Sequence, residues 1–426
     1  MRLFIVALLC LMSVSNSLLF IKTACVANNK ANNKYAKLHS PSSTSSQYPP
    51  SASRSASRSA SFSASRTPRC TSRYSFSQLN SQASNSYEDE VDVAKKIAYS
   101  NHLSKRREMK YQIIAAPAQE PLARRLSQQY PSRFTYHSTS WGKFPDGTDN
   151  ISMSGFSPLN LISGENVLFL ASFHSNDVTL SQFSVMIVLL QSFIDSLTVV
   201  LPYSPVGTME RVTKEGTVAT ASTYAHLFSS LPNCGSPTRL MVYDLHTLQN
   251  RFYLHNNAIA SLQTTIPLLK TRLKSTPINC VAFPDDGAAK RFADLFIDLG
   301  LQIVICGKTR GPDNTRTVKI QEGDVEGLNC VIVDDLVQTG GTLYECGKVL
   351  KAAGAKSVNA FVAHAVFPEE SYKRFDKGGD RCCFEKFWVT NSVPTITEKL
   401  EEGNGVFEVL DLTEAIIKDL DEFSSM

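Results

Sequence analysis

The sequence predicts an α/β protein built from two consecutive domains with mainly parallel sheets. Short apolar runs recur along the globular part of the chain, and segments with helical spacing separate several of them, as in strand–helix–strand units. Many runs end in polar residues or glycine, where ligands bind in open α/β sheets. The runs are too numerous for one small sheet, so we expect two domains that meet near residue 256. They are NVLFLASF, SLTVVLPYSP, TRLMVYDLH, INCVAFPDD, LQIVICGKTR, NCVIVDDL and VNAFVAHAV.

The chain begins with a segment that we exclude from the fold. Residues 1–20 contain one basic residue, an apolar stretch and small polar residues, as a secretory signal peptide does. Residues 21–107 include a long stretch rich in Ser, Arg and Lys, and no acidic residue precedes Glu88. This composition cannot bury a core and is typical of a disordered transit peptide. The combination predicts import into a plastid of secondary origin, with a single mitochondrial or plastid presequence, or secretion, as alternatives.

Composition argues against several classes of partner and site. The net charge of +4 is concentrated in the leader, while the rest of the chain is nearly balanced, so we expect no nucleic-acid partner. The ten Cys residues are scattered without a CxxC pair, which argues against a zinc site or a disulfide framework and favours a reducing compartment. The first twenty residues are marginal for a spanning helix, so we expect no membrane association of the mature form.

Two strand ends carry residues suited to metal and phosphate chemistry. VYDLH ends in His246, whose neutral imidazole could hold a divalent cation together with carboxylate or phosphate oxygens. FPDDG ends another strand with the acids Asp285 and Asp286. Two such strand ends favour metal-supported phosphate chemistry, whereas a structural His and a helix N-cap are the simpler alternatives.

The stretch CGKTRGPDNTRTVKIQEGDVEG predicts a mobile loop that follows a strand. It carries Lys308, Arg310 and Arg316 among Gly, Pro, Asp and Asn residues. Cations on a mobile loop can close over a polyphosphate and stabilise charge in a transition state. A solvated basic loop is the alternative.

The stretch VIVDDLVQTGGT predicts a strand, a ligand-binding loop and the start of a helix. The apolar run Cys330–Val333 is typical of a buried strand, and Asp334 and Asp335 follow where the turning chain lets both reach the crevice above the sheet. The next segment, LYECGKVLKAAGA, has helical spacing and predicts a helix that stops at Gly354.

The loop between this strand and helix suits an anion. Gly340 and Gly341 permit a tight turn, so that backbone N–H groups and the hydroxyls of Thr339 and Thr342 can converge at the helix N-terminus. The preceding carboxylates would repel a phosphate but accept hydrogen bonds from neutral hydroxyls. A sugar phosphate offers both groups, whereas a surface turn with a flexible glycine pair is the alternative.

Together these motifs resemble, in the same order, those of the ribose-phosphate diphosphokinases (phosphoribosyl pyrophosphate synthetases), especially their divergent plant-type branch. The resemblance extends from about Pro117 to Phe375 and covers nearly all of the globular region. The segments that carry it are FPDG, LASF, GTMERVTKEGTVATA, YDLHTLQNRFY, FPDDGAAKRF, KTR, EGDVEG and VIVDDLVQTGGTL.

This resemblance implies two phosphoribosyltransferase-type domains, residues 108–256 and 257–426, with the active site between them. It implies transfer of the diphosphoryl group of ATP to the C1 hydroxyl of ribose 5-phosphate, with Mg²⁺ as cofactor, and assembly into a homo-oligomer. The roles that it implies are catalytic for Lys308 and Arg310, ribose 5-phosphate binding for Asp334, Asp335, Thr339, Gly340, Gly341 and Thr342, nucleotide binding for Phe144, Asp146 and Arg211, and metal binding for His246 and Asp285.

Several positions depart from the better-known branch of the family. Thr208, Met209 and Glu210 stand where that branch has Arg-Gln-Asp, and Thr148 and Gln338 stand where it has acids. These changes weaken any transfer of its nucleotide contacts. A phosphoribosyltransferase that consumes the activated sugar, or a non-catalytic subunit that regulates active synthetases, would share the same loop, but a second domain and a basic loop favour synthesis.

Overall fold

The computed structural model describes residues 104, 108–205, 214–310, 316–401 and 405–422. The predicted leader, apart from Ser104, lies outside the described residues, as does the predicted nucleotide contact Arg211. Within the described ranges, no helix combines the length and the apolar character needed to cross a bilayer.

Strands and helices alternate through most of the described chain. The strands are β1 (Tyr111–Ala115), β2 (Phe134–Tyr136), β3 (Thr139–Lys143), β4 (Asp149–Met153), β5 (Asn166–Leu170), β6 (Ser196–Leu201), β7 (Thr238–Tyr243), β8 (Ala258–Gln263), β9 (Cys280–Phe283), β10 (Gln302–Arg310), β11 (Arg316–Glu322), β12 (Asn329–Val337), β13 (Ser357–Ala365), β14 (Phe387–Thr390) and β15 (Phe407–Leu410). The helices are α1 (Glu120–Gln129), α2 (Asn176–Leu190), α3 (Thr220–Ser229), α4 (Ile266–Leu273), α5 (Asp286–Phe292), α6 (Gly341–Ala352), α7 (Pro394–Glu401) and α8 (Thr413–Glu422). Short 3-10 turns lie at Pro117–Gln119, Leu248–Tyr253, Ala293–Leu299 and Pro368–Arg374.

Most of these strands belong to two sheets. Among the described residues, the first sheet has the order β2-β1-β5-β6-β7-β8, and every neighbouring pair is parallel. The second has the order β11-β10-β9-β12-β13-β14-β15 and is parallel except for the pair β10–β11. Cys330–Val333 is fully buried, as expected for a strand covered on both faces. The predicted α/β class with mainly parallel sheets is confirmed.

Local sequence explains where several helices begin and end. Ser175 caps α2, and its Oγ accepts the N–H of Val178 at 3.4 Å. Gly354 adopts φ 92° just after α6, and the N–H of Ala355 donates to the carbonyl of Leu350 at 3.1 Å. This left-handed glycine terminates the helix at the position that the sequence predicts.

The first sheet extends past the predicted boundary near residue 256. β8 pairs in parallel with β7, so this sheet ends only at Gln263. The last helix also returns to it, because Ile416 and Leu420 pack in one buried cluster with Tyr111 and Ile113. A division of the chain at residue 256 therefore does not coincide with the sheets, although the division into two domains remains a prediction.

Candidate active site

The carboxyl ends of strands from both sheets face one large cavity of about 810 Å³. The first sheet contributes His246 and Thr247, which follow β7. The second contributes Asp285 after β9 and residues 334–343 from β12 and the loop beyond it. Such a crevice is where open α/β sheets bind ligands. The structure thus brings together the residues predicted to bind ribose 5-phosphate and those predicted to bind metal.

Asp334 and Asp335 are residues of β12 and do not lie beyond its end. The sequence predicts a strand that stops near Val333, and this prediction is wrong. β13 extends alongside and pairs with β12 in register as far as Val337 and Ala365, which keeps the chain extended. Both acids nevertheless line the cavity, as the sequence predicts.

The surroundings of these adjacent carboxyl groups push their pKa values apart. Burial, and then the charge of Asp335, raises the pKa of Asp334 well above its ordinary value. Burial acts in the same direction on Asp335, but the hydrogen bond from His246 and the charge of Arg291 outweigh it and lower the pKa of Asp335. The pair therefore combines a carboxyl that favours its protonated form with one that stays ionised.

Asp335 is the centre of a charged network that joins the two sheets. Its Oδ2 accepts hydrogen bonds from Nδ1 of His246 at 2.8 Å and from Nη1 of Arg291 at 2.7 Å. The Arg291 side chain is 15% exposed and that of Asp335 is 10% exposed, so water screens the pair weakly. Nη2 of Arg291 also lies 3.9 Å from Oδ1 of Asp244, just after β7. The sequence analysis assigned no role to Arg291.

The same network assigns a tautomer to His246. An ionised carboxylate can only accept hydrogen bonds, so the Asp335 contact places a proton on Nδ1, and in the neutral imidazole the lone pair then lies on Nε2. Metal-binding His residues usually have one ring nitrogen held by a carboxylate in this way. The geometry at His246 therefore suits a metal ligand, and its metal-binding role remains a prediction.

Two buried polar residues, to which the sequence analysis gave no role, hold the end of β7 in place. Asp244 adopts φ 39° and accepts hydrogen bonds from the hydroxyl of Thr264 and the N–H of Thr265, each at 2.8 Å. Nε2 of His364, on β13, lies 3.1 Å from the carbonyl oxygen of Tyr243, and burial lowers the pKa of this imidazole. Asp244 could have been noticed beside His246 in VYDLH, but no local pattern shows that His364 reaches the other sheet.

Asp285 has a visible structural role at the edge of the cavity. Its Oδ1 accepts the N–H of Ala288 at 3.1 Å and caps α5, which is the N-cap alternative that the sequence left open. Within the described part of the chain, no three His, Cys, Asp or Glu side chains form a cluster able to hold a metal ion. A cation bound here would need further oxygen ligands from a substrate, as Mg²⁺ commonly has.

The glycine pair gives the loop the backbone shape that the sequence predicts. Gly340 adopts φ 70°, and α6 begins at Gly341. The first N–H groups of a helix have no intrahelical acceptor, so this end of α6 can bind an anion. The Cβ of any other residue at position 340 would lie 2.3 Å from Cζ of Phe375. Sterics and backbone conformation therefore both require glycine at this position.

The stretch predicted to be a basic mobile loop is paired as two antiparallel strands over much of its length. Lys308 and Arg310 belong to β10, which pairs with β11 in antiparallel register from Arg310 and Arg316 to Ile305 and Glu322. The alternating sequence of β11 suits an exposed strand, which explains why the prediction of an irregular loop was wrong there. Residues 311–315 and the side chains of Lys308 and Arg310 lie outside the description, so their catalytic role remains a prediction.

Phe144 and Asp146 do not line the cavity within the described chain. They lie in the turn between β3 and β4, where Oδ1 of Asp146 accepts hydrogen bonds from the N–H and the hydroxyl of Thr148, at 3.0 and 2.6 Å. These bonds lower the pKa of Asp146. Phe144 is 49% exposed at this turn. Their nucleotide-binding role remains a prediction.

The chain matches one family model and is similar in sequence to several curated proteins that share one name. Residues 275–395 match the family described as phosphoribosyl transferase domain. The chain is 46% identical over 286 residues to "Ribose-phosphate pyrophosphokinase 4" of Oryza sativa subsp. japonica, covering 66% of this chain and 86% of the relative. It is 39% identical over 342 residues to "Ribose-phosphate pyrophosphokinase 3, mitochondrial" of Spinacia oleracea, covering 79% of each. It is 44% identical over 286 residues to "Ribose-phosphate pyrophosphokinase 3, chloroplastic" of Arabidopsis thaliana, covering 66% and 68%.

A solved structure shares the fold. The crystal structure of phosphoribosylpyrophosphate synthetase from Mycobacterium smegmatis superposes with a TM-score of 0.61 at 20% sequence identity. The match covers 74% of this chain and 98% of that protein. At 20% identity this similarity shows a shared fold and does not assign a role to any residue.

Proposed function

The chain belongs to the ribose-phosphate pyrophosphokinase family, and we propose that it transfers the diphosphoryl group of ATP to the C1 hydroxyl of ribose 5-phosphate. The observation that carries this proposal is the meeting of three features in one cavity. These are the loop at the start of α6, the carboxyl pair of β12 and the His246 imidazole from the other sheet. An anion site, a hydroxyl site and a cation site then lie within the reach of a single substrate pair.

The ribose 5-phosphate would bind at the loop Thr339–Thr342. Its phosphate would accept hydrogen bonds from the backbone N–H groups and hydroxyls at the start of α6. Its ribose hydroxyls would donate to the carboxylate of Asp335, whose Oδ2 already accepts two hydrogen bonds from charged side chains. The two charged donors fix the orientation of this carboxylate before the sugar arrives, which lowers the ordering cost of binding.

The reaction is an in-line displacement at phosphorus. The C1 oxygen of the sugar forms a bond to the β-phosphorus of ATP, while the bond from that phosphorus to the α,β-bridging oxygen breaks and AMP leaves. The proton of the C1 hydroxyl passes to solvent. Catalysis of this kind depends on positioning and on stabilising spreading negative charge. Lys308 and Arg310 would supply that charge stabilisation from the end of β10.

The residues present fit a magnesium ion that is shared with the nucleotide. Nε2 of His246 and the carboxylate of Asp285 would hold it together with phosphate oxygens, since the described residues form no complete protein cage. When bound, the ion would neutralise phosphate charge and orient the diphosphate. Arg291 keeps the carboxylate of Asp335 paired beside this site.

The nucleotide site extends to residues outside the cavity. Phe144 and Asp146, on the exposed turn between β3 and β4, would contact ATP in a neighbouring subunit of a homo-oligomer, and Arg211 would contact the nucleotide in its own subunit. The exposure of Phe144 supports this assignment, because an aromatic ring at a turn is free to cover a base on another molecule.

The enzyme would work in an organelle. The relative from Spinacia oleracea is named mitochondrial and the one from Arabidopsis thaliana chloroplastic. The predicted leader, with a signal-like segment before a transit-like one, favours a plastid of secondary origin.

The decisive experiment is AMP release from ATP and ribose 5-phosphate by the purified protein, without any added base. We expect AMP and phosphoribosyl pyrophosphate in equal amounts, loss of both with EDTA, and recovery with Mg²⁺. Ribose without its phosphate serves as the control substrate and should give neither product. Binding of ribose 5-phosphate without any product would refute synthesis and favour a regulatory subunit. Consumption of phosphoribosyl pyrophosphate with a base would favour a transferase.

A further inference from the structure

A segment between β13 and β14 packs against the glycine loop. We call residues 368–384 the clasp. Oγ of Ser371 donates a hydrogen bond to the carbonyl oxygen of Gln338 at 3.2 Å, and Nη1 of Arg381 donates to that of Thr339 at 2.5 Å. The ring of Phe375 packs against Gly340. None of these three clasp residues is among those that line the cavity, whereas Gln338, Thr339 and Gly340 all line it.

The two hydrogen bonds set the direction of the loop amides. In a planar trans peptide, the C=O of one residue and the N–H of the next point in opposite directions. Drawing the carbonyls of Gln338 and Thr339 towards the clasp therefore turns the N–H groups of Thr339 and Gly340, two residues that line the cavity, away from the clasp. These are the donors that an anion at the start of α6 would use.

Arg381 also brings a fixed positive charge to this end of the helix. It is half-buried, and Nη1 lies 3.9 Å from the position that a Cβ on Gly341 would occupy. Its guanidinium carbon lies 5.8 Å from the centre of the Tyr344 ring, which helps to hold it in place. The charge adds to the partial positive charge of the helix N-terminus, so both favour an anion in the loop.

We propose that Arg381 is a positioning residue that sets the affinity of the cavity for the phosphate group of its sugar substrate. It acts through the peptide group between Thr339 and Gly340, and it does not touch the reacting atoms. The inference rests on the proposed function for the identity of the sugar phosphate, while the orientation of the loop rests on the contacts of the clasp alone.

The test compares Arg381→Met with Arg374→Met in the full chain. Arg374 lies on the same clasp but its side chain pairs with Asp380 rather than with the loop, so it controls for loss of a clasp arginine. We expect Arg381→Met to weaken ribose 5-phosphate binding, measured by calorimetry without nucleotide, about tenfold, equivalent to about 1.4 kcal/mol. The KM for ribose 5-phosphate should rise by the same factor, with kcat and the KM for ATP within about twofold of wild type. Arg381→Lys, which keeps the charge but loses the planar fork, should recover part of the affinity.

An unchanged dissociation constant in Arg381→Met, or an equal loss in Arg374→Met, would overturn the inference. If thermal melting shows that Arg381→Met does not fold, Arg381→Lys replaces it. An unchanged dissociation constant for ribose 5-phosphate in Arg381→Lys would then overturn the inference. A wild-type protein that binds ribose 5-phosphate but forms no product would remove the proposed function. The binding measurements would still decide the role of Arg381.

Discussion

Gly340→Ala tests the claim that the anion loop requires glycine on two separate grounds. The first is conformational, because φ 70° costs a residue with a Cβ about 1–2 kcal/mol. The second is steric, because the new Cβ would lie 2.3 Å from Cζ and 2.6 Å from Cε2 of the buried Phe375. Relieving such a contact in a packed core costs about 1–3 kcal/mol. The substitution should therefore lower the free energy of unfolding by about 2–5 kcal/mol.

The chain contains a matched control for this change. Gly378 also has a positive φ, of 91°, but a Cβ there would meet no atom within 4 Å. Gly378→Ala should therefore show the conformational cost alone, about 1–2 kcal/mol. Urea unfolding of both variants measures the difference. In a Phe375→Leu background, Gly340→Ala should cost no more than Gly378→Ala, because the smaller side chain relieves the contact. Equal costs for the two glycine substitutions in the wild-type background would refute the steric argument.

Three further substitutions test other parts of the structure. Arg291→Met leaves the buried carboxylate of Asp335 without its guanidinium partner and should lower the free energy of unfolding in urea by about 3 kcal/mol. Lys290→Met, on the exposed face of the same helix, should lower it little. Similar losses in the two variants would contradict the role of the network. Burial raises the pKa of Asp419 from 3.8 to about 7, although its hydrogen bond with Tyr243 acts in the opposite direction. Between these two pH values the folded state therefore holds a proton that the unfolded state has lost, and the free energy of unfolding falls as the pH rises. Asp419→Asn should consequently stabilise the fold more at pH 8 than at pH 5, and an equal effect at both would oppose this assignment. Lys308→Ala should depress kcat strongly with little change in ribose 5-phosphate binding, while Lys319→Ala on the partner strand should remain active; near-normal turnover in Lys308→Ala would remove its catalytic role.

Local sequence patterns predict the parts of this fold that depend on local interactions. The buried strand at Cys330–Val333 and the left-handed end of α6 at Gly354 follow from apolar runs and glycine conformation. The end of β12 was mispredicted, because its last residues stay extended only through pairing with β13, a strand more than twenty residues away. Part of the loop predicted to carry Lys308, Arg310 and Arg316 is likewise paired, as β10 and β11, and this pairing is not visible from its composition.

The same distinction applies to the site. Strand-end acids and a glycine loop are visible in the sequence, and the structure places His246, Asp285, Asp335 and the glycine pair around one cavity. The partners that orient them are distant in sequence. Arg291 reaches a carboxylate 44 residues away, and Arg381 reaches the loop across 42 residues. No periodicity or spacing rule reports such contacts, which depend on how distant segments of the second sheet pack together.

The return of α8 to the first sheet has a consequence for the synthesis of this protein. Tyr111 and Ile113 leave the ribosome about three hundred residues before Ile416 and Leu420, which cover them in the finished fold. A nascent chain therefore exposes part of this apolar face until α8 has been synthesised, and a premature stop just before α8 would leave that part uncovered. α8 follows every strand of both sheets in the chain, so the first sheet can complete its buried cluster only after both sheets have been synthesised.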